Sequence, residues 1–78
     1  MTAPDTAAFM RRLGRRVRLA RLIAEMTQDQ LAEKAGISRN FVSLIEKGAH
    51  GVNVVRLHRI AAALGMPLSD LIREAEQQ

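Results

Sequence analysis

The 78-residue chain has no cysteine, tryptophan or tyrosine, and only two phenylalanines and two prolines. Without cysteine, no disulfide framework or thiolate metal site is available. Without Trp or Tyr, there is no row of aromatic rings of the kind that RNA and single-strand binders stack against bases. Long apolar runs are missing too. The longest, residues 60–68, is too short to span a bilayer, and residues 7–10 are too brief for a signal-peptide core. The expectation is one cytoplasmic domain, residues 1–78, with no membrane segment and no cofactor. The 47% hydrophobic and 26% charged residues suit a folded chain rather than a disordered one. A domain this short buries only about 60% of its unfolded surface, so self-association is a natural source of further burial.

Charge is unevenly placed. The net charge is +4, and residues 1–26 carry six arginines (11, 12, 15, 16, 18 and 21) against Asp5 and Glu25 alone. Beyond residue 26, basic and acidic residues balance. A basic segment suits a polyanion partner, but a solvated helix face has the same composition.

No stretch alternates with period two, and helical spacing runs throughout. The first helix is expected over residues 6–25, with Phe9, Leu13, Val17, Ala20 and Ala24 on one face and Leu19, Leu22, Ile23 and Met26 widening the apolar surface. Gly14 weakens its first half. Thr27 with Gln30 forms a capping box for a second helix, which Gly36 closes. Ser38 caps a third and Asn53 a fourth that Gly65 stops, and Pro67 opens a fifth. The fold class is all-α, a compact bundle of five short helices.

The informative unit is residues 27–48: two short capped helices joined by Ala35-Gly36-Ile37-Ser38, the length of a helix-turn-helix. Leu31, Ala32, Ile37, Val42 and Ile45 are apolar where the two helices must meet the bundle. Arg39, Asn40 and Ser43 stay polar on the outer face of the third helix. Polar groups at the start of an exposed helix suit the major groove, where Arg bonds guanine O6 and N7, Asn bonds adenine N6 and N7, and Ser bonds either.

The series Thr27-Gln28, Leu31-Ala32, Gly36-Ile37-Ser38-Arg39, Ser43 and Ile45-Glu46-Lys47-Gly48 resembles the lambda-repressor-like (Cro/C1, xenobiotic-response-element type) helix-turn-helix family. The likeness extends back through Leu13-Gly14, Val17-Arg18 and Arg21, and forward through Leu57, Ile60-Ala61 and Ala63-Leu64-Gly65 to Leu71. It implies that Gln28 bonds a phosphate and braces the next helix. It places Ser38, Arg39, Asn40 and Ser43 against DNA, with Phe41 either on a thymine methyl or in the core, and Lys47 and His50 beside phosphates. Arg21 and Glu46 match the family's internal ion pair. Asp29 and Glu33 match positions where some phage repressors contact the polymerase sigma subunit, though two solvated helix carboxylates would look the same. Two departures stand out: Glu25 occupies a place where many relatives have glycine, and Leu44 one that is polar in some.

The resemblance implies a transcriptional regulator that binds a double-stranded DNA operator as a homodimer. The expected dimer region is residues 52–78, with Val54, Leu68, Leu71 and Ile72 at the interface. Small size and the Asn53-Val54 entry resemble controller proteins of restriction–modification systems. A phage repressor, or an antitoxin-type module that uses the fold to hold a protein, has nearly the same sequence pattern. Enzyme chemistry is disfavoured: His50 and His58 have no third ligand at metal spacing, and no nucleophile–base pair stands out.

Overall fold

Four of the five helices begin where a side chain accepts the backbone N–H groups that the first turn leaves free. The computed structural model describes residues 3–49 and 51–76, and among these it contains five helices: α1 Thr6–Ile23, α2 Gln28–Ala35, α3 Arg39–Glu46, α4 Val54–Ala63 and α5 Leu68–Glu76. Asp5 Oδ1 accepts from Ala8 N, Ser38 Oγ from Phe41 N, and Asn53 Oδ1 from Val55 N and Arg56 N. Thr27 and Gln30 complete a reciprocal capping box. None of the helices is long and apolar enough to cross a membrane.

α1 packs on α3 and α5, α2 on α3 and α4, and α4 on α5. The core draws on every helix, with Leu13, Val17, Leu31, Val42, Ile45, Ile60 and Leu71 as its largest sealed side chains. Seven such side chains bring roughly 1.5–3 kcal/mol each of apolar transfer energy, which is the main term holding a domain of this size together.

Three sequence expectations change here. The buried line of α1 runs Leu13–Val17–Arg21 rather than through Ala20 and Ala24, because α3 and α5 cover that side. Leu19, Leu22 and Ile23 consequently face solvent, at 45%, 50% and 72% exposure. Leu71, expected at a dimer interface, is fully buried within the single chain, where α5 folds back on α1 and α4. Of the other residues expected there, Leu68 and Ile72 are half-buried against the core, and Val54 is 64% exposed with Val55 beside it.

The third change is at the end of α1, which closes at Ile23 rather than running to residue 25. Glu25 N donates to Leu22 O and Met26 N to Arg21 O, the two bonds of a Schellman closure. Glu25 sits at φ 58, where glycine is usual because a Cβ crowds the backbone at a cost of roughly 1–2 kcal/mol. Part of that cost returns as lower unfolded-state entropy. Glu25→Gly is therefore expected to stabilise the fold by about 0.5–1 kcal/mol, read as a higher urea midpoint at unchanged slope.

Candidate nucleic-acid interface

The α2–α3 unit is held by local backbone chemistry first. Gly36 adopts φ 71, Gly36 N donates to Glu33 O and Ile37 N to Ala32 O, and Ser38 then caps α3. With α2 and α3 sharing the core through Leu31, Ala32, Val42 and Ile45, the other side of α3 is left to solvent. Arg39 and Asn40 are exposed there, Ser43 is half-buried, and Ser38 and Lys47 are exposed at the two ends. Leu44 is 44% exposed, an apolar residue on an otherwise polar surface. Phe41 does two jobs: it packs half-buried against the core, and its ring lies under the Arg56 guanidinium, 5.2 Å from Cζ to centroid.

Behind α3 lies a charged hydrogen-bonded knot. Arg21 Nε donates to Glu46 Oε2 at 2.7 Å and Arg21 Nη2 donates to Glu46 Oε1 at 3.0 Å, a bidentate pair. The remaining Nη1 donates to the Met26 carbonyl at 2.9 Å, and Gln28 Nε2 donates to Glu46 Oε1 at 3.2 Å. The side chains of Arg21 and Glu46 are only 10% and 4% exposed. The end of α1, the following turn, the start of α2 and the end of α3 are thereby tied at one point. Hydrogen bonding to Glu46 holds the Arg21 guanidinium above its ordinary pKa, against the opposing pull of burial and with added Coulomb attraction from the same carboxylate.

The fold divides the N-terminal arginines. Arg12 Nε donates to the Ala75 carbonyl at 2.6 Å and Arg16 pairs with Glu74, so both serve the α1–α5 contact. Arg11, Arg15 and Arg18 instead line a shallow concavity with Glu46 and Lys47 at the C-terminal end of α3. Sequence reading missed a second basic flank. Arg56 and Arg59, three apart on α4, line a cleft with Gly36, Ile37, Ser38 and Phe41 at the N-terminal end of α3. Their spacing puts them on one face, but no local signal says that this face adjoins the α2–α3 turn. It also missed that Arg39 Nε pairs with Asp29 Oδ1 across the two helices at 3.4 Å. Glu33 lies exposed one turn further along α2.

Among the described residues no three His, Asp or Glu side chains gather as metal ligands. His50 lies outside those residues. What the surface offers is a protruding polar helix flanked at both ends by cations, the disposition that phosphate-positioning and base-reading groups require.

Known proteins share this fold. The model of the family described as "Helix-turn-helix domain" matches residues 12–75, and the chain belongs to that family. It is 36% identical over 62 residues to the immunity repressor protein of Bacillus phage phi105, covering 80% of this chain and 43% of that protein. It is 35% identical over 60 residues to control protein C.BamHI of Bacillus amyloliquefaciens, covering 76% of this chain and 74% of the relative. Among solved structures, the restriction-modification controller protein C.AhdI from Aeromonas hydrophila superposes with a TM-score of 0.76 at 29% identity, over 80% of this chain and 94% of that one. These similar proteins are described as an immunity repressor, a control protein and a restriction-modification controller protein. The chain spans less than half the length of the phage repressor.

Proposed function

We propose that this chain is a sequence-specific DNA-binding transcriptional regulator, working without catalysis as a homodimer on a pseudo-palindromic operator and controlling its own gene in the manner of a controller protein. The observation that carries the reading is the α3 ridge of exposed Arg39 and Asn40 with half-buried Ser43, anchored from behind by Gln28, Glu46 and Arg21 and flanked by cations at both ends. The relatives' descriptions as repressor and controller support the regulatory part. Residues 27–48 form the reading unit of this single domain. Residues 52–78, with Val54 exposed and Leu68 and Ile72 partly so, supply the pairing surface. Two copies present two ridges about 34 Å apart, one helical turn of DNA.

Footprinting on the DNA upstream of the chain's own gene tests this. The expected result is a symmetric protected site whose affinity falls steeply with salt, because phosphate contacts release counterions. Arg39→Ala is expected to relax preference at one base of each half-site by about 1–3 kcal/mol. A uniform loss over all sequences would make Arg39 a phosphate contact instead. If the protein also activates transcription through the sigma subunit of RNA polymerase, Glu33 is the better-placed carboxylate, since Asp29 is engaged by Arg39. Glu33→Gln should then lower reporter activation without changing operator affinity.

A second reading, an antitoxin-type module that grips a protein, draws on the exposed Leu19, Leu22 and Ile23. It requires a protein partner whose affinity survives Arg39→Ala and Asn40→Ala.

A further inference from the structure

The Arg39–Asp29 pair contributes little to the fold. Its side chains are 65% and 76% exposed, and pairs so wetted change stability little. Yet it joins the residue best suited to read guanine to the first turn of the neighbouring helix. The relative position of those helices is fixed by their shared core and by the Gln28–Glu46 bond. Arg39 therefore meets DNA with its Nε turned to a carboxylate, and its two Nη groups are what it has left to offer a base.

We infer that Asp29 is a positioning residue that sets the base selectivity of Arg39. The inference rests on Arg39 reading a base edge, as proposed above. Guanine presents two acceptors, O6 and N7, and accepts both arms of a guanidinium. Adenine presents N7 beside a donor, and thymine presents O4 beside a methyl group. With Asp29 holding the Nε side, the guanidinium is turned so that both Nη groups meet the two-acceptor edge together. The poorer edges accept from only one of those groups, and the carboxylate's charge disfavours a stray phosphate in the same position. Asp29 thus both presents Arg39 to the right edge and works against wrong partners.

The test uses the full chain and a library of randomised duplexes. Base preference is read at every selected position, and affinity for an unselected random duplex is measured at two salt concentrations. Wild type is compared with Asp29→Asn, Asp29→Glu, Arg39→Ala and the Asp29→Asn/Arg39→Ala double variant. Asp29→Asn is expected to keep the melting temperature and the selected site. It should reduce preference at the one position that Arg39→Ala abolishes, by up to about fivefold, the range of exposed ion pairs. It should also raise affinity for random duplex. Asp29→Glu should restore part of the preference, and the double variant should match Arg39→Ala at that position. If Asp29→Asn raises affinity uniformly and leaves every base preference as in wild type, Asp29 only repels phosphate and the inference is overturned. If Arg39→Ala changes no base preference, the reading of Arg39 itself fails, and the role of Asp29 falls with it.

Discussion

Gly14→Ala is expected to lower the unfolding free energy by about 2 kcal/mol, and with it the melting temperature by roughly 8–16 °C. Helix propensity alone argues the other way, since alanine inside a helix is better than glycine by about 1 kcal/mol. Packing decides the sign. A Cβ on Gly14 would lie 2.2 Å from the Ile45 carbonyl oxygen and 2.9 Å from that of Glu46. Both are backbone atoms at the end of α3, so neither can swing aside as a flexible side chain would. Overpacking costs about 1–3 kcal/mol and occasionally more, and a clash with backbone belongs at or above the top of that range. The two effects subtract to the stated loss. Thermal melts of the two proteins at equal concentration check it, and a Gly14→Ala variant as stable as wild type would mean that α1 and α3 are not this close. Under the function proposed above, operator affinity should fall as well, because relieving the clash moves the end of α3 beside Lys47.

Removing one member of the Arg21–Glu46 pair is expected to be costlier still. Arg21→Met leaves the Glu46 carboxylate buried with only the Gln28 amide for company, and breaking buried pairs in this way costs about 3–5 kcal/mol. Small domains hold little more than that in total, so the variant should be substantially unfolded at 37 °C. Arg21→Met/Glu46→Leu should recover much of the loss, because no charge is then stranded. Denaturation of the four proteins of this cycle gives the coupling directly. A pair that holds the fold together only by packing would show additive losses. The pH dependence has a definite sign. A folded-state pKa raised above the unfolded value gives stability that is complete below the unfolded pKa and disappears as pH rises through the folded one. For Arg21 that window lies in strong alkali, so its contribution should be constant through the neutral range.

These two expectations show where sequence reading works and where it stops. Thr27 with Gln30, Ser38 and Asn53 announce helix starts because a cap is a contact within three residues of itself. The same locality makes the α2–α3 unit legible, since its turn is made by Gly36 and its own neighbours. Gly14 looked like a weak point in a helix because its partner, the Ile45 carbonyl, is thirty-one residues away. Leu71 looked like surplus apolar surface because helical spacing shows that a residue shares a face with others, not which helix covers that face. Glu25 could be marked as unusual by resemblance, but its left-handed backbone was visible only in the folded turn.

The amino-acid sequence by itself determined five helices, three of them with legible side-chain caps, a helix-turn-helix at residues 27–48 and a polar outer edge on its second helix. All of these follow from contacts within a turn or two of chain. The tertiary structure decided which arginines are spent on α5 and which gather beside Lys47, that Arg56 and Arg59 flank the other end of α3, and that Asp29 holds Arg39. Those assignments depend on how helices far apart in sequence pack, and that is set by the mutual fit of side chains such as Leu13, Val17, Ile45 and Leu71 around one small core.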